Sequence, residues 1–237
     1  MNLQEIINHS DMILVGIGED FQEKFEKVKV EEEEKNTIFE EYSRKKYLEN
    51  KEKEEIEEAY DKLALLLKEK NYFIITLCND DKIYKADLKK DRIVAPCGTY
   101  QALQCTDVCT EDIYPFEEYE KIIAEKKVPL CPHCGKPLTM NHVGTKKYSE
   151  EGYLKQWNLY TKWLQGTLNK QVCILELGVG MKYPSVIRWP FEKVAFLNNK
   201  ATFIRVHGFL HQLTEEIKEK GVSIQENPVT FLRNQIV

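Results

Sequence analysis

The 237-residue sequence contains no run approaching the roughly 18 apolar residues that a membrane-crossing helix needs, so it is not expected to span a membrane. It also lacks an excess of positive charge: 34 Lys and Arg stand against 39 Asp and Glu, a net charge of −5. That balance leaves no electrostatic footprint for a polyanion, and nucleic acid is not an expected partner. The opening "MNLQEIINHS" has neither the basic start nor the apolar stretch of a secretory leader, and a soluble, cytoplasmic protein is the expectation. Several catalytic signatures are missing as well. There is no G-x-S-x-G elbow and no Walker-type lysine, and the five histidines (9, 133, 142, 207 and 211) never form H-E-x-x-H. His207 and His211 share an i, i+4 interval, but no helical pattern precedes residue 211. No internal repeat of supersecondary size is visible.

The length suits one domain of generous size, or a main domain carrying a small insert. An apolar fraction of 42% and a charged fraction of 31% place the chain among soluble globular proteins with a real core. Four short apolar runs end in turn residues: "MILVGIG" (12–18), "YFIIT" (72–76), "QVCILELGVG" (171–180) and "ATFIRV" (201–206). They are nearly continuous rather than alternating, as a sheet covered on both faces requires. Helical patterns over 40–70, 148–168 and 184–198 separate them. Strands alternating with helices predict an α/β fold, a Rossmann-like doubly wound parallel sheet. Ligands then belong at the carboxyl ends of the strands, where "GIGED", "TLCNDD" and "ELGVG" gather.

Within the charged stretch before the second strand, Ile56, Tyr60, Leu63 and Leu67 share one helical face. The expected role is an amphipathic helix lying on the core, with a partner-docking helix as the other reading.

Between residues 97 and 147 the alternation stops. This segment holds four of the seven cysteines, as Cys105 and Cys109 and then Cys131 and Cys134 in "LCPHCGKPL". Pro132 and Gly135 favour the tight knuckle that turns one thiolate back toward the other. Four thiolates close a tetrahedral zinc site with no position left for water, so the predicted role is structural. Paired cysteines in a reducing compartment point to metal rather than disulfides. His133, inside the knuckle, is expected to face solvent. The expected organisation is a sheet domain of residues 1–96 and 148–237 with a zinc module of residues 97–147 inserted.

With these motifs in place, the sequence resembles the sirtuins, NAD-dependent protein deacylases and ADP-ribosyltransferases. The shared order is a glycine-rich first turn, a T-x-N-x-D loop after the second strand, a four-cysteine insert and two further strand-and-loop units. "PCGTYQALQC" (96–105) and "LELGVGMKYPSVIRWPFE" (175–192) look most like the microbial class M branch, whose members carry segments such as "PQGDYGLFQC" and "LELGVGFNTPGIIRYPFE". The likeness runs from about residue 10 to the C-terminus.

The resemblance implies cofactor-facing roles for Gly16 and Gly18, for Thr76 and Cys78, for Gly178, Val179 and Gly180, and for His207. It implies catalytic or ribose-orienting roles for Cys97, Asp80 and Asn79. It makes NAD the cofactor beside structural zinc, and a lipoyl-carrier protein and a macrodomain hydrolase the partners expected of the class M branch. The departures matter equally. Glu19 and Asp20 fill the end of the "GAGxS" turn, where two carboxylates compete with a diphosphate for amide donors and repel it. No arginine precedes Arg44, so the family's Phe-Arg cofactor loop has no counterpart. Cys78 stands at the ribose Asn, with Asn79 one residue out of register. Cys97 stands at the His or Gln base, as a buried packing residue or as a nucleophilic or redox thiol. His207 replaces the adenosine-ribose Asn, while Arg205 follows the family pattern. Arg188 and Trp189 are expected to pack or face a partner. The readings are a diverged NAD-dependent deacylase or ADP-ribosyltransferase, a non-catalytic relative acting as a ligand- or protein-binding module, and a cysteine-based enzyme at Cys97.

Overall fold

In chain order the elements are α1 (Leu3–Asn8), β1 (Met12–Ile17), α2 (Ile38–Asn50), α3 (Glu54–Leu67), β2 (Tyr72–Thr76), β3 (Ile93–Val94), β4 (Gly98–Cys105) and β5 (Tyr114–Pro115). They continue as α4 (Glu120–Ala124), β6 (Leu138–His142), α5 (Glu151–Gln165), β7 (Val172–Leu177), α6 (Arg188–Leu197), β8 (Ala201–Val206), β9 (Gly221–Ile224) and α7 (Pro228–Arg233). This computed structural model describes residues 2–22, 31–35, 37–50 and 54–236.

The six-stranded sheet runs β3-β2-β1-β7-β8-β9, and every pairing in it is parallel. Because side chains alternate across a strand, β1 divides its apolar run between two cores. Ile13, Val15 and Ile17 join α3's Ile56, Tyr60 and Leu63 on one face. Met12 and Leu14 meet Tyr160 and Trp163 of α5 and Phe191 and Ala195 of α6 on the other. Both faces are therefore dry, which is why these strands read as continuous runs. The sheet order reverses between β1 and β7, and that is where a doubly wound sheet opens its crevice.

The second sheet is small and antiparallel, in the order β5-β4-β6. Its core gathers Tyr100, Leu103, Phe116, Ile123, Leu138 and Met140 with Cys105 and Cys131.

The structure corrects two expectations. The single helix over 40–70 is two helices, and residues 51–53 between them lie outside the described residues. Their apolar faces have different destinations. The face of α3 packs on the large sheet, whereas Ile38 of α2 is buried in the small sheet's core and Glu41 accepts hydrogen bonds from Met140 N at 2.9 Å and Thr139 Oγ1 at 3.0 Å. One straight helix cannot serve both. The sheet also has two edge strands beyond the four expected. β3 has two residues and β9 is the partly exposed "GVSI", so neither carries an apolar run long enough to be recognised.

Candidate functional site

The three loops expected at the sheet's carboxyl edge do meet there. The turn after β1 crosses the turn after β7 at backbone contact distance. A Cβ on Gly18 would lie 2.1 Å from the Gly178 carbonyl oxygen and 2.3 Å from Val179 Cα, so only glycine lets the turns touch. Gly178 itself is left-handed, at φ +64°, with Asp20 against it. Gly16 is hemmed in by Ile187 and Phe191 from the helix side.

The two acidic residues of the first turn are both engaged. Glu19 Oε2 accepts from the Gly180 backbone N–H at 2.9 Å, and its other oxygen is buried with no partner among the described residues. Asp20 Oδ2 lies 3.6 Å from His207 Nε2. His207 Nδ1 accepts from the Phe209 and Leu210 amides at 3.1 and 3.2 Å, which fixes the proton on Nε2 and turns it toward Asp20. Burial holds the His207 pKa below its ordinary value against the pull of Asp20, so the ring is neutral at physiological pH. His207 is thus buried and fastens its own loop while facing Asp20.

From β2, Thr76 Oγ1 accepts from Cys78 N at 3.1 Å, and Cys78 Sγ donates to the Gly18 carbonyl at 3.2 Å, tying the second loop to the first glycine turn. Burial raises the Cys78 thiol well above its usual range. Asn79 Oδ1 accepts from Gln22, and its own carbonyl accepts from Tyr100 N at 3.2 Å. Asp80 is buried, with one oxygen accepting from Lys82 N at 3.3 Å and the other without a partner among the described residues. Burial lifts its carboxyl to about 6. Cys97 sits in the core between the large sheet and α5; burial, helped by the Glu19 charge, pushes it up to about 12, so it is a thiol at neutral pH.

One residue that sequence reasoning assigned to packing or to a partner surface organises two of these loops. The Arg188 Nη2 donates to the carbonyls of Val179 at 2.8 Å and Leu210 at 2.9 Å, clamping the loops after β7 and β8 together. It lies 3.4 Å from Glu176, which is fully buried and receives the Arg205 fork at 2.6 and 3.0 Å. Arg205 also reaches Glu192 at 2.7 Å. The pattern "RWPFE" carried the signal, because a charged residue just before Pro190 enters a helix at its first turn, facing the preceding loop. Trp189, its neighbour, is more than half exposed.

The cysteine pairs come together at the far end of the small sheet. The sulfurs of Cys105, Cys109, Cys131 and Cys134 all lie within 4.8 Å of one another, with Cys105–Cys134 at 3.5 Å and Cys109–Cys131 at 3.6 Å. A tetrahedron of thiolates on zinc, with bonds of about 2.3 Å, has edges of about 3.8 Å, so the donor set fits that ion. Gly135, at φ +72°, makes the knuckle turn, and its amide returns to the Cys131 carbonyl at 2.9 Å. His133 points away to Asp112 Oδ2 at 2.7 Å and is half exposed, as expected. The cluster fits a closed, structural zinc site in which four thiolates would fill every position.

No protein-family model matches the chain. It is 23% identical over 190 residues to a protein ADP-ribosyltransferase of Staphylococcus aureus, covering 74% of this chain and 59% of that protein. It is 28% identical over 145 residues to a probable bifunctional ADP-ribose hydrolase/ADP-ribosyltransferase of Fusarium oxysporum f. sp. cubense, covering 54% of this chain and 24% of that protein. The chain therefore spans less than two thirds of the length of either curated relative. Among solved structures, Sir2 with a p53 peptide and NAD+ matches at a TM-score of 0.59 and 16% identity, covering 98% of this chain and 96% of that one. The fold is sirtuin-like: a Rossmann-like parallel sheet with a four-cysteine lobe. No helix among the described residues is long and apolar enough to cross a membrane.

Proposed function

We propose that the chain is a sirtuin-like, NAD-dependent transferase, a protein ADP-ribosyltransferase or deacylase, with ADP-ribosyl transfer favoured by both curated relatives. The observation that carries this reading is the crossing of the β1 and β7 glycine turns at the reversal of sheet order, with Asp80 on the adjoining β2 loop holding a buried oxygen that has no partner among the described residues. Backbone there approaches a ligand without side chains between, which suits a diphosphate. NAD would supply the ADP-ribosyl group, transferred from its C1′ as nicotinamide leaves.

In this reading Gly16, Gly18 and Gly178 to Gly180 form the phosphate-facing wall, and Asp80 with Asn79 orients the nicotinamide ribose. Thr76 and Cys78 hold that loop against Gly18, and His207 holds the adenosine-side loop. Cys97, kept as a thiol by burial, serves as packing rather than as the proton acceptor. The division into residues 1–96 with 148–237 and an inserted module of 97–147 belongs to the same proposal, with α2 packed on that module. So do the class M branch, a cytoplasmic setting, a lipoyl-carrier protein as target and a macrodomain hydrolase as the reversing partner; a relative that carries both activities supports the last.

The Glu19 contact to Gly180 favours a second reading, a binding module without turnover. Calorimetry with NAD and ADP-ribose, beside an assay of nicotinamide release, separates the two. Binding with release supports the transferase. Binding without release supports the module, and no heat at millimolar ligand removes the transferase and any nucleotide-binding module, leaving only a module that binds protein.

A further inference from the structure

Glu19 lies where the turns after β1 and β7 meet. Its carboxylate bridges the turn after β1 to the turn after β7, across 161 residues of sequence, through the Gly180 amide. Its charge acts on Cys78 and Cys97 and on Arg188 and His207, which are contributed by four different segments around the crevice. A single carboxylate that joins the two turns and is felt by groups from four segments occupies the place a ligand's anion would take.

The way it is held is incomplete. One oxygen has a charge-assisted bond at 2.9 Å; the other is buried with no partner among the described residues. A buried acceptor without a donor loses its hydration and gains nothing in return. The side chain is only partly buried as a whole, so rotating outward returns both oxygens to water. The neighbouring glycine also leaves room for the carboxylate: a Cβ on Gly180 would come within 3.3 Å of Glu19 Oε2. The crevice thus contains a negatively charged group that is bound well enough to occupy the donor and poorly enough to leave.

We propose that Glu19 is a built-in competitor for the phosphate-facing amide of Gly180, and that a dinucleotide docks only when this side chain swings out. The inference rests on the NAD reading for the identity of the ligand, but not for the presence of the anion site. It makes affinity for the dinucleotide a property set by Glu19: the wild-type site is self-occupied, and any event that draws the side chain outward opens it. The anion recognised is a diphosphate, because it offers several acceptor oxygens where Glu19 offers one that is used.

The test is calorimetric titration of inorganic pyrophosphate, and separately of NAD, into the wild type, Glu19→Ser and Glu19→Gln. Removing the carboxylate in Glu19→Ser is expected to tighten pyrophosphate at least tenfold, with Glu19→Gln between it and the wild type, since the amide keeps the size and an acceptor oxygen but loses the charge. If Glu19→Ser is folded, by an unchanged thermal transition, and binds pyrophosphate no better than wild type, the proposal falls. Should Glu19→Ser not fold, the wild type decides through amide NMR: saturating pyrophosphate must shift the Gly180 amide and leave Gly135 in place, and an unmoved Gly180 overturns the proposal. The two layers separate cleanly. A gain for pyrophosphate with no NAD binding keeps the competitor and removes NAD as the ligand; wild-type NAD binding that Glu19→Ser does not improve keeps NAD and removes the competitor.

Discussion

The cysteine lobe and the crossing of the glycine turns both hold polar atoms away from water, but they do so with different resources. Among the described residues the lobe has a core of nine buried ones, two of which are cysteines of the cluster. So little apolar area cannot order an antiparallel sheet by itself, and the four thiolates fasten its ends. The crossing has no such staple. It stands on the two dry faces of the large sheet and is shaped by what is missing, the side chains of Gly16, Gly18 and Gly178, and by buried charge held in pairs. The lobe would be lost with one ion. The crossing can be lost only by spoiling packing or charge, and each such change should be felt locally.

Metal removal gives the largest contrast. Structural zinc binding is worth about 10 kcal/mol or more, so chelation or Cys131→Ser should unfold the lobe and leave the large sheet standing. Hydrogen exchange is the measurement: amides of β4 and β6 should lose protection while those of β1 and β7 keep it. Equal protection in both sheets after verified metal loss would show that the lobe holds itself.

Next in size is Gly18→Ala. Gly18 has φ −98°, an ordinary value, so its requirement is purely steric. The added Cβ would meet the backbone of Gly178 and Val179, and that backbone is pinned, with Gly18 N bonded to Leu177 O and Gly178 N to Val206 O, each at 2.8 Å. Neither turn can retreat without breaking a strand end, and a loss of more than about 4 kcal/mol is expected in urea unfolding. A loss of under about 1 kcal/mol would mean that the turns slide freely past each other.

These contrasts also explain what the sequence discloses. The runs of β1, β2, β7 and β8 are legible because burial on both faces keeps them mostly apolar, with charge admitted only as the buried Glu176–Arg205 pair. The cysteines are legible because a ligand set requires one residue type at close spacing. Helix α2 is legible as a helix but not in its destination: an amphipathic face announces that it is covered, not by which sheet. Glu19 could be recognised as a carboxylate in a turn that suits phosphate, yet its contact with Gly180 depends on two turns meeting in space. Arg188 is the same case, since its acceptors are carbonyls at 179 and 210, which every residue possesses. Side-chain chemistry is written in sequence; backbone partners are not.

Asp80 supplies a smaller effect with a definite sign. Its folded pKa of about 6 lies above the ordinary 3.8, so between those values the native state holds more protons than the unfolded chain. Stability contributed by the protonated form is present below pH 3.8 and is lost as pH rises through about 6. The difference corresponds to roughly 3 kcal/mol, from about 1.4 kcal/mol per pH unit. Asp80→Asn should therefore be more stable than wild type near pH 7, with the gap closing as pH falls toward 4. Parallel stability curves from pH 4 to 7.5 would remove Asp80 as the source. A gain in stability with a loss of nucleotide binding would mark the carboxylate as retained for function at a cost in stability.

The smallest predicted effect sharpens the comparison most, because it repeats the Gly18 substitution in the lobe. Gly135→Ala introduces the same methyl group, but at φ +72° and with no atom within 4 Å of the new Cβ. Steric collision is absent, so only the left-handed backbone resists, at about 1–2 kcal/mol for an L residue. That strain is spread over a knuckle that zinc and the Gly135 N to Cys131 O bond hold in shape. The variant should keep one zinc per chain and show a modestly lower lobe stability by hydrogen exchange, with the β1 and β7 amides unchanged. If Gly135→Ala instead matched Gly18→Ala in cost, the lobe's turn would be constrained by more than backbone angle, and the division between a stapled lobe and a packed crossing would no longer hold.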